Sequence, residues 1–195
     1  MTTLIVATTN QGKLREIREL LAGLPLRLRT LTDYPAVAAP EETGTTFAEN
    51  ARQKALYYAA ATGSMTVAED SGLEVDAMDG APGVQSARFG GDDSSYPEKF
   101  ALIYQALASA GVTTSTARFV CALAVADAGQ VVFEARGAVE GTIAPEPRGA
   151  GGFGYDPVFF YPPFGCTLAE ADERKSSVSH RGQAFRKLRA MLQGR

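Results

Sequence analysis

The sequence predicts an α/β fold on a mixed sheet, and three patterns point to it. In the first half, short apolar strands alternate with amphipathic helices. From Ala117 onward, two longer strands follow each other across a tight turn. No internal repeat or low-complexity linker divides the 195 residues. At roughly 150 residues per domain, that length suits one large domain or two small lobes.

Residues 3–7 read as a buried strand, running into Thr8-Thr9-Asn10-Gln11-Gly12-Lys13 and a helix. Leu14, Ile17, Leu20, Leu21 and Leu24 recur at helical spacing until Gly23 and Pro25 stop the pattern. A second strand is expected over 26–31. The next helix opens on a capping box, Thr46-x-x-Glu49, and runs to Gly63. Strands over 65–69 and 72–76 flank Asp70 and Ser71. Ser95-x-x-Glu98, with Pro97 in its first turn, starts a third helix that ends near Gly111. Residues 117–126 are apolar on both alternating faces, as a central strand requires, and Asp127-Ala128-Gly129 turns into a strand over 131–139. A glycine-rich loop over 149–156 leads to a strand over 158–161. The last helix carries Ala184, Phe185, Leu188, Met191 and Leu192 on one face, and Arg186, Lys187 and Arg189 on a face expected to be solvated.

Composition excludes several classes. With 45% hydrophobic and 21% charged residues, the chain is neither a disordered tail nor a coiled coil. A net charge of −3 argues against a general nucleic-acid or membrane binder. The charge is segregated, however: residues 69–93 hold seven acids and one base, and residues 174–195 hold seven bases and no acid. Such a pair of stretches serves either a metal and a polyanion or two solvated faces. Cys121 and Cys166 form no C-x-x-C pair, which disfavours a disulfide framework or zinc knuckle. The start of the chain lacks a signal-peptide pattern and no run is long enough to span a membrane, so a cytoplasmic protein is expected.

Four segments carry residues suited to chemistry. The loop 8–13 feeds a helix start, where free N–H groups and the positive end of the dipole suit a phosphate. Lys13 in that first turn is unfavourable unless an anion sits there. Gly12-Lys13 matches a Walker A loop, but Ala7 replaces its first glycine and Leu14 its metal-binding hydroxyl. The segment is therefore not a Walker A loop, and a metal ligand must come from elsewhere. An ordinary polar turn is the competing reading.

The second segment, Glu69-Asp70-Ser71-Gly72, is expected where a strand hands over to a loop. Carboxylates are the hard oxygen ligands that magnesium takes, usually one or two alongside substrate phosphates. Neighbours in a strand point to opposite faces, so Glu69 and Asp70 do not ligate together and a partner such as Glu41 or Glu42 is needed. Asp-Ser-Gly is also common in plain turns. The third segment, Gly151-Gly152-Phe153-Gly154-Tyr155-Asp156-Pro157, lets backbone approach a flat ligand on which Phe153 could stack. The fourth holds Lys175 and Ser179-His180-Arg181-Gly182, whose donors could read a carbonyl oxygen on a base. His180 is the only histidine, which leaves no His or Cys set for zinc, and the chain has no G-x-S-x-G elbow.

Taken together, these segments resemble the inosine/xanthosine triphosphate pyrophosphatase family over nearly the whole chain. The resemblance rests on Thr8-x-Asn10-x-x-Lys13, Glu41-Glu42-Thr43-Gly44, Ala68-Glu69-Asp70-Ser71-Gly72-Leu73, Gly80-Ala81-Pro82-Gly83, Ser86-Ala87-Arg88, the 151–157 loop and Ser179-His180-Arg181-Gly182. It implies one nucleotide pyrophosphatase domain over residues 1–195, an elongated mixed α/β structure of two lobes with a central cleft, and a homodimer. By the same resemblance, Thr8, Thr9, Asn10, Gln11, Gly12 and Lys13 hold the triphosphate. Asp70 is proton acceptor and Mg²⁺ ligand, and Glu41 is the other metal carboxylate. Ser71, Phe153, Gly154, Tyr155, Asp156, Lys175, His180 and Arg181 match substrate-binding positions. Glu173-Arg174 departs from members that have acidic residues just before the lysine.

The expected reaction is Mg²⁺-dependent hydrolysis of ITP, dITP or XTP to the monophosphate and pyrophosphate, with charge neutralisation as its main demand. Donors at His180 and Arg181 would favour a 6-oxo purine over adenine, whose amino group is itself a donor. A pyrophosphatase for modified pyrimidines, a nucleotide-binding regulator without turnover and a nucleic-acid module are the rival readings. The His180-Arg181 motif, the retained Asp70, Glu41 and Lys13, and the few cations of the last helix argue against them in turn.

Overall fold

In the computed structural model, which describes residues 2–194, β1 (Thr2–Val6) pairs in parallel with β2 (Leu26–Thr30) and with β3 (Thr66–Val75). Parallel neighbours need crossovers, and α1 (Gln11–Leu20) and α2 (Phe47–Thr62) supply them. The chain continues through α3 (Tyr96–Ser109), β4 (Thr116–Asp127) and β5 (Gln130–Ile143). It ends with β6 (Phe159–Tyr161), β7 (Cys166–Thr167), α4 (Lys175–Val178) and α5 (His180–Gln193). The strands form one sheet in the order β2-β1-β3-β4-β5-β6-β7, and the β5–β6 and β6–β7 pairs are antiparallel. A mixed sheet with helices is the predicted class. β4 lies at its centre, buried along nearly its whole length.

The chain divides into two compact units. Unit 1 holds the residues up to Asp70, Cys121–Gly137 and the residues from His180. Its core joins Leu4 and Val6 of β1, Leu14 and Ile17 of α1, Val67, Leu123, Val125, Phe185 and Leu188. Unit 2 holds Ser71–Val120 and Ala138–Ser179, around Leu73, Val75, Phe100, Ile103, Leu107, Phe119, Val158 and Phe159. Among the described residues, no helix is long and apolar enough to cross a membrane.

Local signals explain the helix ends. Thr46 accepts from the Glu49 N–H, and the Glu49 carboxylate accepts from the Thr46 N–H at 3.1 Å. Gly63 closes the helix with φ 63°, in the left-handed region that glycine adopts without strain. Ser95 and Glu98 form the same box on α3. The last helix departs from expectation. Lys187 donates to the Arg136 carbonyl, and Arg189 to the carbonyls of Leu20 and Ala22 at 3.0 and 2.7 Å. Arg189 thus satisfies carbonyls at the C-terminal end of α1, where a cation also suits the dipole, so it is not simply solvated.

A second departure concerns Asp70 and Ser71. They lie inside β3, with no turn between two strands, and β3 is buried on both faces from Thr66 to Asp70. Continued pairing outweighs the local Asp-Ser-Gly turn tendency: Ala7 N–H bonds the Val67 carbonyl, and further along Leu73 N–H bonds Ser86 Oγ at 2.9 Å. The β4–β5 turn has Ala128 at φ 47° and Gly129 at φ 80°. Two-residue turns of this kind favour Asn-Gly, because alanine is strained at positive φ. Ala128→Asn is expected to stabilise the protein by about 0.5–1 kcal/mol, read as a melting temperature higher by about 1–4 °C.

Candidate active site

The 8–13 loop is organised by its own side chains. Asn10 caps α1 by accepting the Lys13 N–H at 3.0 Å, while Thr8 Oγ1 accepts the Asn10 N–H at 3.2 Å. The first-turn N–H groups of Gln11 and Gly12 have no intrahelical acceptor, as at every helix start. Leu14 and Ile17 bury the opposite face of α1 and fix its direction. The loop is therefore a partly exposed set of donors suited to an anion.

Glu69 has a role the sequence did not reveal. Its carboxylate, 5% exposed as a residue, meets Lys13 Nζ at 3.0 Å and the Arg181 guanidinium at 3.3 Å, and accepts the Cys121 thiol at 3.1 Å. Arg181 also bonds Glu16 at 2.8 Å and is 1% exposed. Burial works to raise the Glu69 carboxyl. The Arg181 and Lys13 charges outweigh it and hold the group well below the usual carboxylate range. Burial together with the Glu69 charge pushes the Cys121 thiol up, so it is an inert donor. Arg181, expected to read the base, has its guanidinium between the Glu69 and Glu16 carboxylates. His180 is the first residue of α5 and is nearly buried. Its carbonyl lies where a Cβ on Gly137 would sit, so a bare glycine is needed there.

Asp70 points to a different group, consistent with strand alternation. Its Oδ2 accepts Asn50 Nδ2 at 3.0 Å and its Oδ1 meets Lys54 Nζ at 3.2 Å. Lys54 also bonds Glu42 Oε1 at 3.1 Å. Asn50, itself buried, accepts the Gly44 N–H at 2.8 Å and so ties the Glu42 segment to Asp70. The carboxylate gathered with Asp70 is thus Glu42, while Glu41, the expected partner, is exposed. The reason is geometric: Lys54 reaches Glu42, and adjacent residues of an extended segment face opposite ways. Burial raises the Asp70 carboxyl, only partly offset by Lys54 and Asn50, which suits a proton acceptor. Burial opposes the Lys54 charge, but Asp70 and Glu42 outweigh it and raise its ammonium.

Asn50 and Lys54 were missed from sequence, although a signal existed. They stand four apart on α2, polar residues one above the other on a face that Ala51 and Ala55 bury. Two carboxylates converging on one cation form a donor set that fits magnesium, which takes one or two carboxylates and completes its shell with phosphate and water. Among the described residues, no group of three or more His, Cys, Asp or Glu is gathered for a metal.

Within unit 2, the 151–157 loop is held by Asp156. Its Oδ2 accepts the Phe153 N–H at 2.7 Å and meets Lys175 Nζ at 2.6 Å. A Cβ at Gly152 (φ 70°) would strike that carboxylate. Lys175, at the start of α4, also places its ammonium 4.5 Å from the Phe153 ring centre. Tyr155 is buried and donates to the Ser86 carbonyl at 2.7 Å, and Gly154 takes φ 69°, a conformation that favours glycine. The side chains of Tyr155 and Asp156 thus hold the loop, with half-buried Phe153 and Lys175 packed against each other beside it. Ser71 follows Asp70 on β3 and is partly exposed.

The chain is similar to known proteins along almost its full length. It is 50% identical over 190 residues to a protein of an Exiguobacterium species named dITP/XTP pyrophosphatase, covering 97% of this chain and 96% of that one. A protein of the same name from Geobacter sulfurreducens is 47% identical, covering 98% and 97%. Among solved structures, a HAM1 protein from Coxiella burnetii superposes with a TM-score of 0.94 at 39% identity over 100% of both chains. The Staphylococcus aureus Ham1 protein gives 0.88 at 32% identity, covering 99% of each. The Ham1 family model matches residues 4–191, and on these matches the chain belongs to the Ham1 family.

Proposed function

We propose that this protein hydrolyses ITP, dITP and XTP between the α- and β-phosphates, releasing the nucleoside monophosphate and pyrophosphate in a Mg²⁺-dependent reaction. The observation that carries this reading is the cluster in unit 1 that sets Asp70 and Glu42 on Lys54, beside Lys13 on Glu69. It offers carboxylates for a cation and ammonium groups for phosphates. The near-full-length similarity to proteins named dITP/XTP pyrophosphatase supports the substrate class.

In this mechanism the N–H groups at the start of α1, with Thr8, Thr9 and Lys13, hold phosphate oxygens. Asp70 is the proposed acceptor for the proton of the attacking water. Asp70 and Glu42 would hold magnesium, whose chemistry there is to neutralise phosphate charge and lower the pKa of bound water. For the base, Phe153 offers a stacking face and Lys175 beside it a donor suited to a 6-oxo group; the part of His180 follows the family resemblance alone. Arg181 contributes through Glu69 and Glu16. Assembly as a homodimer follows the family resemblance, and sedimentation velocity checks it; a place in the cytoplasm is part of the same proposal.

The test is pyrophosphate release from ITP, dITP, XTP, GTP and ATP, with and without Mg²⁺. ITP and XTP should turn over at least about 100-fold faster than ATP, the scale of one buried donor facing a donor. Turnover should vanish with EDTA. No turnover of ITP or XTP, or equal turnover of ATP, would reject the reading.

A further inference from the structure

We propose that the Lys54 ammonium is a placeholder for the divalent cation, seated between the Asp70 and Glu42 carboxylates and displaced from them when the cation binds. This rests on the magnesium site proposed above and concerns how this chain prepares that site. Lys54 Nζ lies 3.2 Å from Asp70 Oδ1 and 3.1 Å from Glu42 Oε1, and the three side chains are largely buried. Two carboxylates drawn this close would repel each other without a cation between them.

The arrangement cannot hold both cations. Magnesium sits about 2.0–2.1 Å from its oxygens. A metal bridging the same two carboxylates would lie within a few ångström of the ammonium, at a large Coulomb cost in a buried setting. One of the two must leave, and the bonding identifies which. Asp70 is held through its other oxygen by Asn50, and Asn50 also holds the Gly44 N–H next to the Glu42 segment. Asp70 is therefore clamped independently of Lys54, and the backbone two residues beyond Glu42 is tied to the same Asn50. Lys54 itself is a flexible four-carbon stem rooted on α2. Exchange of one cation for another then leaves Asp70 in place, and the empty site never carries two bare buried charges.

The test measures Mn²⁺ binding to the full-length protein without nucleotide, from the free-ion paramagnetic resonance signal. Lys54→Met keeps the stem and removes the competitor, so Mn²⁺ should bind at least about 10-fold more tightly than in the wild type, a change of about 1.4 kcal/mol. Lys13→Met removes an equal charge from the neighbouring Glu69 pair without touching Asp70 or Glu42, and should give a much smaller gain. Adding Asp70→Asn to Lys54→Met should abolish the gain. Lys54→Gln repeats the comparison should the methionine variant fold poorly. The placeholder role is overturned if Lys54→Met binds no more tightly than wild type, if neither binds, or if Lys13→Met gains as much. A gain that survives Asp70→Asn places the ion elsewhere and sinks the metal site itself, a different failure from the absence of any gain in Lys54→Met.

Discussion

Asp70→Asn is expected to lower kcat for ITP by about 10²–10⁴-fold, the usual contribution of a positioned acid–base group, with a smaller change in KM. Asparagine keeps the size and the bond from Asn50 Nδ2 but cannot take a proton from water. The stability of the variant makes the result specific. A carboxyl whose folded pKa is raised above its unfolded value disfavours the fold at pH above that folded value, so neutralising it relieves a cost. Asp70→Asn should therefore melt no lower than wild type at pH 7 while losing turnover. Full Mg²⁺-dependent activity in the variant would remove Asp70 from the chemistry.

Glu69→Gln should show the opposite pattern. It leaves the Arg181 and Lys13 charges short of their shared counter-ion in a buried site, and breaking such a pair costs about 3–5 kcal/mol. In a chain of this size that lowers the melting temperature by about 10 °C or more. The pH dependence follows from the depressed carboxyl. Its stabilisation is fully present above the unfolded value of about 4.3 and is lost as pH falls from there through the folded value. Melts of both proteins between pH 7 and pH 3 should thus converge in acid. Curves that stay parallel would show that Glu69 does not carry this contribution.

Much of the framework was legible locally. The boxes at Thr46/Glu49 and Ser95/Glu98 marked two helices, because a cap and its partner lie three residues apart and form the same bonds in isolation. The all-apolar run of β4 announced its central place, since only a strand covered on both faces can be apolar on both. The family read from seven short motifs is the one the matches return. The same local reasoning failed at Asp70-Ser71, where a turn-forming tripeptide was drawn into a ten-residue strand.

The sequence by itself determined the elements, their caps, the class of fold and the segments that hold the chemistry. Those depend on periodicity and on bonds between near neighbours. Tertiary structure alone decided the partners within the site. Glu42 was preferred to Glu41 because Lys54, twelve residues on, reaches one of them. Glu69 and Asp70, adjacent in sequence, went to separate charge clusters because β3 aims successive side chains to opposite sides. Arg181 reached Glu69 from 112 residues away. Buried charges must be paired wherever they meet, and which charges meet is fixed only when the chain has closed around them.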